Sequence, residues 1–198
     1  MRKAKVLIFL FISLVGFILV YWFWPKDDQL PVMDKIKGFQ MEEVHGGIYE
    51  LDNEKVKLVA FFYTNCPDIC PMTMVDFKDL QAELKSKGLF SEDVELVAIT
   101  IDPEHDSPSV IKQYASAFHA DPSGWKWLRG TSEQTKKIAT DLQMQYQKLD
   151  GDFFSHTITM YLIDSENQIR ALYEMANGKK PVEKERILQD IIELVNNE

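Results

Sequence analysis

The chain has 198 residues and carries 22 Lys and Arg against 31 Asp and Glu, a net charge of −9. That length suffices for one compact domain with a real core, plus a short appendage. The acidic balance repels phosphate backbones, which argues against nucleic acid as a partner.

Arg2, Lys3 and Lys5 precede an uncharged apolar run from Val6 to Trp24. At 1.5 Å per residue the run spans about 28 Å, close to the hydrocarbon thickness of a bilayer. Tyr21, Trp22 and Trp24 crowd its far end, where amphipathic rings favour the membrane interface. A cleaved signal peptide would carry a shorter run and a small-x-small cleavage site, whereas this run ends in Tyr-Trp-Phe-Trp-Pro. No cysteine follows it, so a lipid-modified N-terminus is excluded as well. Residues 1–25 therefore read as an uncleaved single-pass anchor. The basic end stays inside and the bulk of the chain lies outside the cytoplasm, in the simplest setting on a bacterial cell membrane. Residues 26–35, polar and acidic, read as a stalk, and 36–198 as the external domain. Without Arg2, Lys3 and Lys5 the outer part has 19 basic against 31 acidic residues, a charge of −12 that serves solubility.

Within the domain, residues 36–47 suggest strand and turn, broken at Gly46-Gly47. Lys57 to Tyr63 and Val94 to Ile101 are apolar, β-rich runs of the kind that form buried strands. Between them, Met74, Phe77, Leu80 and Leu84 recur at helical spacing over 71–87, with Gly88 as the stop. Residues 107–118 read as a helix capped by Ser107 with Pro108 at its first position. Trp125 to Leu128 is a short extended piece whose two tryptophans belong to the core. A helix over 132–142, capped by Ser132, follows. Residues 157–163 and 168–173 form a hairpin, and 182–195 a closing amphipathic helix. The alternation of strands and helices predicts an α/β fold of thioredoxin-like layering, with an insertion before the hairpin.

The two cysteines, Cys66 and Cys70, fall where the first core strand ends and a helix begins. A helix N-terminus stabilises thiolate, the form that both attacks disulfides and binds metals. The pair can therefore exchange electrons, with Cys66 attacking and Cys70 resolving, or hold a soft metal ion. Three intervening residues, against two in the thioredoxin motif, favour metal. Residues four apart on a regular helix keep Cβ atoms about 5–6 Å apart, wider than the 3.8 Å or so of a relaxed disulfide. A third ligand is then required. Of His45, His105, His119 and His156, only His156 is placed by the predicted order at the cysteine end, before the hairpin strand. The same position suits a strand-end histidine satisfied by backbone or water, and the residues alone leave both readings standing. Two thiolates and one imidazole suit copper better than structural zinc, which takes four protein ligands. His45 and His119 read as surface residues and His105 as an exposed loop residue. Met72 and Met74 read as helix packing.

Three segments carry a resemblance. Residues 63–71 (Tyr-Thr-Asn-Cys-Pro-Asp-Ile-Cys-Pro), 100–108 (Thr-Ile-Asp-Pro-Glu-His-Asp-Ser-Pro) and His156-Thr157 leading into Tyr161-Leu162-Ile163-Asp164 together resemble the Sco/SenC family. These are membrane-anchored, thioredoxin-fold copper proteins that serve assembly of the copper A centre in subunit II of cytochrome c oxidase. The resemblance covers roughly residues 36–195 and implies Cys66, Cys70 and His156 as copper ligands. The chain then reads as delivering copper to the oxidase by ligand exchange, with oxidation of the cysteine pair abolishing binding. The alternative role is a thiol-disulfide reductase that keeps the acceptor's cysteines reduced. Many members carry an acidic residue shortly before the histidine; here Asp152 is the nearest, three residues further back than His156's own neighbour Ser155. Asp106 reads as part of the helix cap, and Asp102 either forms a turn or orients the copper histidine.

Overall fold

A computed structural model describes residues 2–23, 29–149 and 153–197, with the side chains of residues 2–4, 7 and 23 left aside. Helix α1 (Arg2–Phe23) comes first, and its apolar side chains are exposed, Phe17 and Trp22 at 78% and 81%. Among the described residues no helix is long and apolar enough to cross a membrane. The span expected over 1–25 thus rests on the sequence alone.

The strands and helices follow in the order β1 (Asp34–Lys35), β2 (Gln40–Glu43), β3 (Ile48–Glu50), β4 (Val56–Phe62), α2 (Ile69–Ser86) and β5 (Val94–Thr100). Then come α3 (Pro108–Ala117), β6 (Trp125–Arg129), α4 (Ser132–Asp141), β7 (Tyr146–Lys148), β8 (Phe154–His156), β9 (Thr159–Ile163), β10 (Gln168–Glu174) and α5 (Lys184–Asn197). Eight strands form one sheet in the order β1-β10-β9-β4-β5-β6-β2-β3. β4, β5 and β6 are parallel, while β9 joins β4 and β10 joins β9 antiparallel. This is the expected mixed α/β, thioredoxin-like architecture. β4 and β5 are buried at every position, which is why they read as unbroken apolar runs rather than as alternating ones.

Helix α2 turns Cys70, Met74, Phe77, Leu80 and Leu84 into the core and packs on α5 and β5. It ends at Gly88, whose φ of +72° is left-handed and comes cheaply only to glycine. Trp125 and Trp127, alternate residues on β6, share one face and stack with centroids 5.3 Å apart. Ser107 caps α3 as expected, accepting the Val110 amide. The cap of α4 is Thr131, not Ser132: Thr131 and Gln134 form a reciprocal capping box, and Ser132 is the first helical residue.

Two features differ from the reading of the chain. The insertion contains a separate two-stranded sheet, β7 with β8, in which Tyr146 opposes His156. The later part of the expected stalk is docked on the domain. Glu193 accepts the Leu30 amide at 3.0 Å, Arg170 donates to the Leu30 carbonyl, and Asp164 holds Arg170 at 2.9 Å. The Met33 amide reaches Ile169, and β1 pairs with β10. Only residues 24–28 of the segment between α1 and this docked stretch lie outside the described residues.

Candidate metal centre

Strand β4 delivers Tyr63 and Thr64 to the sheet's end, and a tight turn, with the Cys66 amide on the Tyr63 carbonyl at 3.2 Å, brings Cys66 to the start of α2. Asp68 occupies the cap position of α2, but its side chain makes no capping bond. The sulfur of Cys66 takes that place, accepting the Cys70 amide at 3.4 Å. The helix start thus directs its unpaired N–H groups at a thiol, which explains why the cysteine lies just outside the helix. Cys66 is half-buried, Cys70 is fully buried on the core-facing stripe, and both are free thiols.

The pair is strongly polarised. The Cys70 thiol donates to Cys66, and with the Asp68 and Cys70 amides and the Tyr63 phenol it overcomes burial and brings Cys66 down to about 5. Cys70 is pushed far up, because it donates to Cys66, is buried, and faces the charge it stabilises. At neutral pH the pair holds one thiolate, on Cys66, and one proton, on Cys70. Iodoacetamide should therefore label Cys66 alone, its rate rising through a pH of about 5 and flat from about 6 to 8. A midpoint near the ordinary thiol value of about 8.5, or equal labelling of both cysteines, would show that the pair is not polarised.

The cysteine loop is fixed from below by Asp106. This carboxylate is 1% exposed and accepts the Thr64 amide at 3.2 Å, the Thr64 hydroxyl and the Thr100 hydroxyl. Asp106 therefore does not cap α3; it links the loop to the end of β5. Burial raises its pKa, against the hydrogen bonds of Thr100 and Thr64. Arg129 holds the same loop by donating to the carbonyls of Asp106 at 3.0 Å and Pro103 at 2.8 Å. Asp102 is bound to the ring of His105 at 2.9 Å, so its carboxylate serves that histidine rather than His156.

His156 ends β8 rather than opening β9. Its Nδ1 donates to the Thr157 carbonyl at 2.9 Å, which leaves the Nε2 lone pair open. The imidazole lies edge-on to Tyr63 at 6.3 Å, so it shares the end of the molecule that holds the cysteines. Among the described residues, however, no three His, Cys, Asp or Glu side chains are gathered closely enough to hold a metal ion. The Tyr63 ring packs against the histidine, and its hydroxyl accepts the Phe154 amide at 3.5 Å. His45 pairs with Glu43, His119 is exposed at the end of α3, and Asp152 lies outside the described residues. Met74 is core and Met72 is half-buried against it. Tyr63, Asp106 and Arg129 are the residues that sequence reasoning missed or misplaced; an aromatic directly before a cysteine turn was the one available signal.

The family model described as SCO1/SenC matches residues 49–196. A "SCO2-like protein" of Rickettsia conorii is 30% identical over 159 residues, covering 75% of this chain and 75% of that protein. The structure of yeast Sco1 with copper bound matches with a TM-score of 0.66 and 26% identity, covering 83% of this chain and 90% of that one. BsSco, in which a disulfide switch has been identified and which belongs to the Sco family of cytochrome c oxidase assembly proteins, matches in fold. Its TM-score is 0.74 at 24% identity, covering 87% of this chain and all of that one.

Proposed function

Because the chain belongs to the SCO1/SenC family, we propose that it carries one copper ion on Cys66, Cys70 and His156 and delivers it to a respiratory oxidase. The acceptor is the copper A site in subunit II of cytochrome c oxidase. The observation that carries this reading is the histidine's tautomer. A ring that commits Nδ1–H to a backbone carbonyl presents Nε2 as a metal donor, the usual arrangement of ligating histidines. The thiolate of Cys66 is preformed, and Cys70 becomes the second sulfur donor by giving up its proton. Two sulfurs and one imidazole form a soft to borderline set that suits copper and is one ligand short of structural zinc.

Residues 1–25 serve as the membrane anchor in this reading, with a stalk shorter than 26–35 because residues 30–35 are docked. The basic start, the uncharged run and the aromatic end support it. Phe23 and Leu30 are seven residues apart, at most about 25 Å of chain, so the domain works close to the bilayer surface that also holds the oxidase.

A second reading, thiol-disulfide exchange on the acceptor's cysteines, is favoured by the same polarised pair: a low-pKa, half-buried Cys66 backed by a protonated Cys70. The two readings separate at His156. In His156→Ala, Cu(II) binding should weaken by about 10–100-fold, with loss of the sulfur-to-copper charge-transfer band and a changed EPR spectrum. Dithiol exchange with a model disulfide should continue at the wild-type rate. A band untouched by the substitution would remove His156 from the ligand set.

A further inference from the structure

We infer that Tyr63 is the positioning residue that ties the cysteine loop to the His156 hairpin, setting the reach between sulfur and imidazole. This deepens the copper reading and rests on it. Tyr63 follows β4 directly, three residues before Cys66, and is 3% exposed. Its hydroxyl oxygen accepts the Phe154 amide at 3.5 Å, and its backbone carbonyl accepts the Cys66 amide at 3.2 Å. The ring lies 5.2 Å from Phe154 and 6.3 Å, edge-on, from His156. Phe154 and His156 are alternate residues of β8 and so share a face, which is the face that meets Tyr63.

The hairpin depends on such a tie. β7 and β8 are three residues each, form their own sheet and do not join the eight-stranded one. Two such short strands are marginal by themselves. The cysteine loop, by contrast, is held to the core by Asp106 and by α2. One side of the copper site is therefore rigid and the other is a small ribbon, and Tyr63 bridges them. Among the described residues no three ligand-type side chains are gathered closely enough to hold a metal ion, so loading requires the hairpin to move towards the cysteines about this tether.

The test is a double-substitution cycle in the full chain in detergent, titrated with Cu(II), comparing wild type, Tyr63→Phe, His156→Ala and the double variant. Phenylalanine keeps the ring and the backbone turn and removes the hydrogen bond to the Phe154 amide. Tyr63→Phe should weaken Cu(II) about tenfold, and the loss in the double variant should fall short of the sum of the two single losses, because Tyr63 acts in part through that histidine. A second readout needs no copper: amide hydrogen exchange at Phe154 and His156 should speed up several-fold in Tyr63→Phe, while exchange at the centre of β5 stays unchanged. Additive losses in the cycle would overturn the inference, since they mean that Tyr63 acts independently of the histidine. Unchanged exchange at Phe154 would overturn it as well. If His156→Ala leaves copper binding intact, the ligand reading fails, and the exchange measurement still decides whether Tyr63 holds the hairpin.

Discussion

Copper binding should be lost in Cys70→Ser and in Cys66→Ser, with affinity expected to fall by about a thousandfold or more in each, because one soft donor of the two proposed disappears. The two substitutions should nevertheless differ in proton linkage, since the sulfurs start in different states. In the wild type at neutral pH, Cys66 is already a thiolate and Cys70 still holds its proton. Loading then expels one proton, from Cys70, so affinity rises about tenfold per pH unit from neutral pH upwards. At acid pH further ligand protons must leave, that of Cys66 among them, and the dependence steepens. Competition with a Cu(I) chelator of known pH dependence, run between about pH 4.5 and 8, reads both slopes. A flat profile across neutral pH would mean that both thiols ionise before copper arrives, and the one-proton picture of the pair would be wrong.

The parts of this molecule that the sequence revealed are those whose physics is local or periodic. β4 and β5 are legible because a strand buried on both faces has no choice but to be apolar throughout. The start of α3 is legible because Ser107 and Pro108 stand next to each other. The cysteine pair is legible because thiols at a helix start have few structural uses. Other features depend on partners far along the chain. Asp106 sits beside Ser107 and Pro108 and so looks like part of a cap, but its partner Thr64 is 42 residues away. Residues 30–35 look like linker by composition, but Leu30 is held by Arg170, 140 residues later. The β7–β8 hairpin is too short for periodicity to show, and it decides where His156 stands. The exchange of Ser132 for Thr131 at the α4 cap is of another kind: two good caps stand side by side, and the reciprocal bond to Gln134 selects the first.

Asp106→Ala should be among the most destabilising single changes outside the apolar core. The carboxylate is the acceptor for the Thr64 amide and for the hydroxyls of Thr64 and Thr100, and Thr100 is fully buried. Alanine leaves these donors without a partner, at about 1–3 kcal/mol each where water cannot replace it, so a total loss of about 3–5 kcal/mol is expected in urea unfolding. Asp106→Asn keeps the volume and one acceptor oxygen, and should cost about 1–2 kcal/mol. The two also separate by pH. Burial raises the Asp106 pKa above its unfolded value, so the folded protein holds this proton more tightly than the unfolded chain does. Its contribution is then fully present below the unfolded carboxyl range and declines as pH rises through the folded value. The stability difference between wild type and Asp106→Asn, which cancels the other titrating groups, should therefore be larger near pH 4 than near pH 7. A difference that grows towards neutral pH would mean that the hydrogen bonds of Thr64 and Thr100 outweigh burial and the carboxylate is held as the preferred anion. Either variant should also release Thr64, and through it the turn that presents Cys66. Faster loss of selective Cys66 labelling than of global stability would locate the damage in the loop, whereas parallel loss would place it in the fold as a whole.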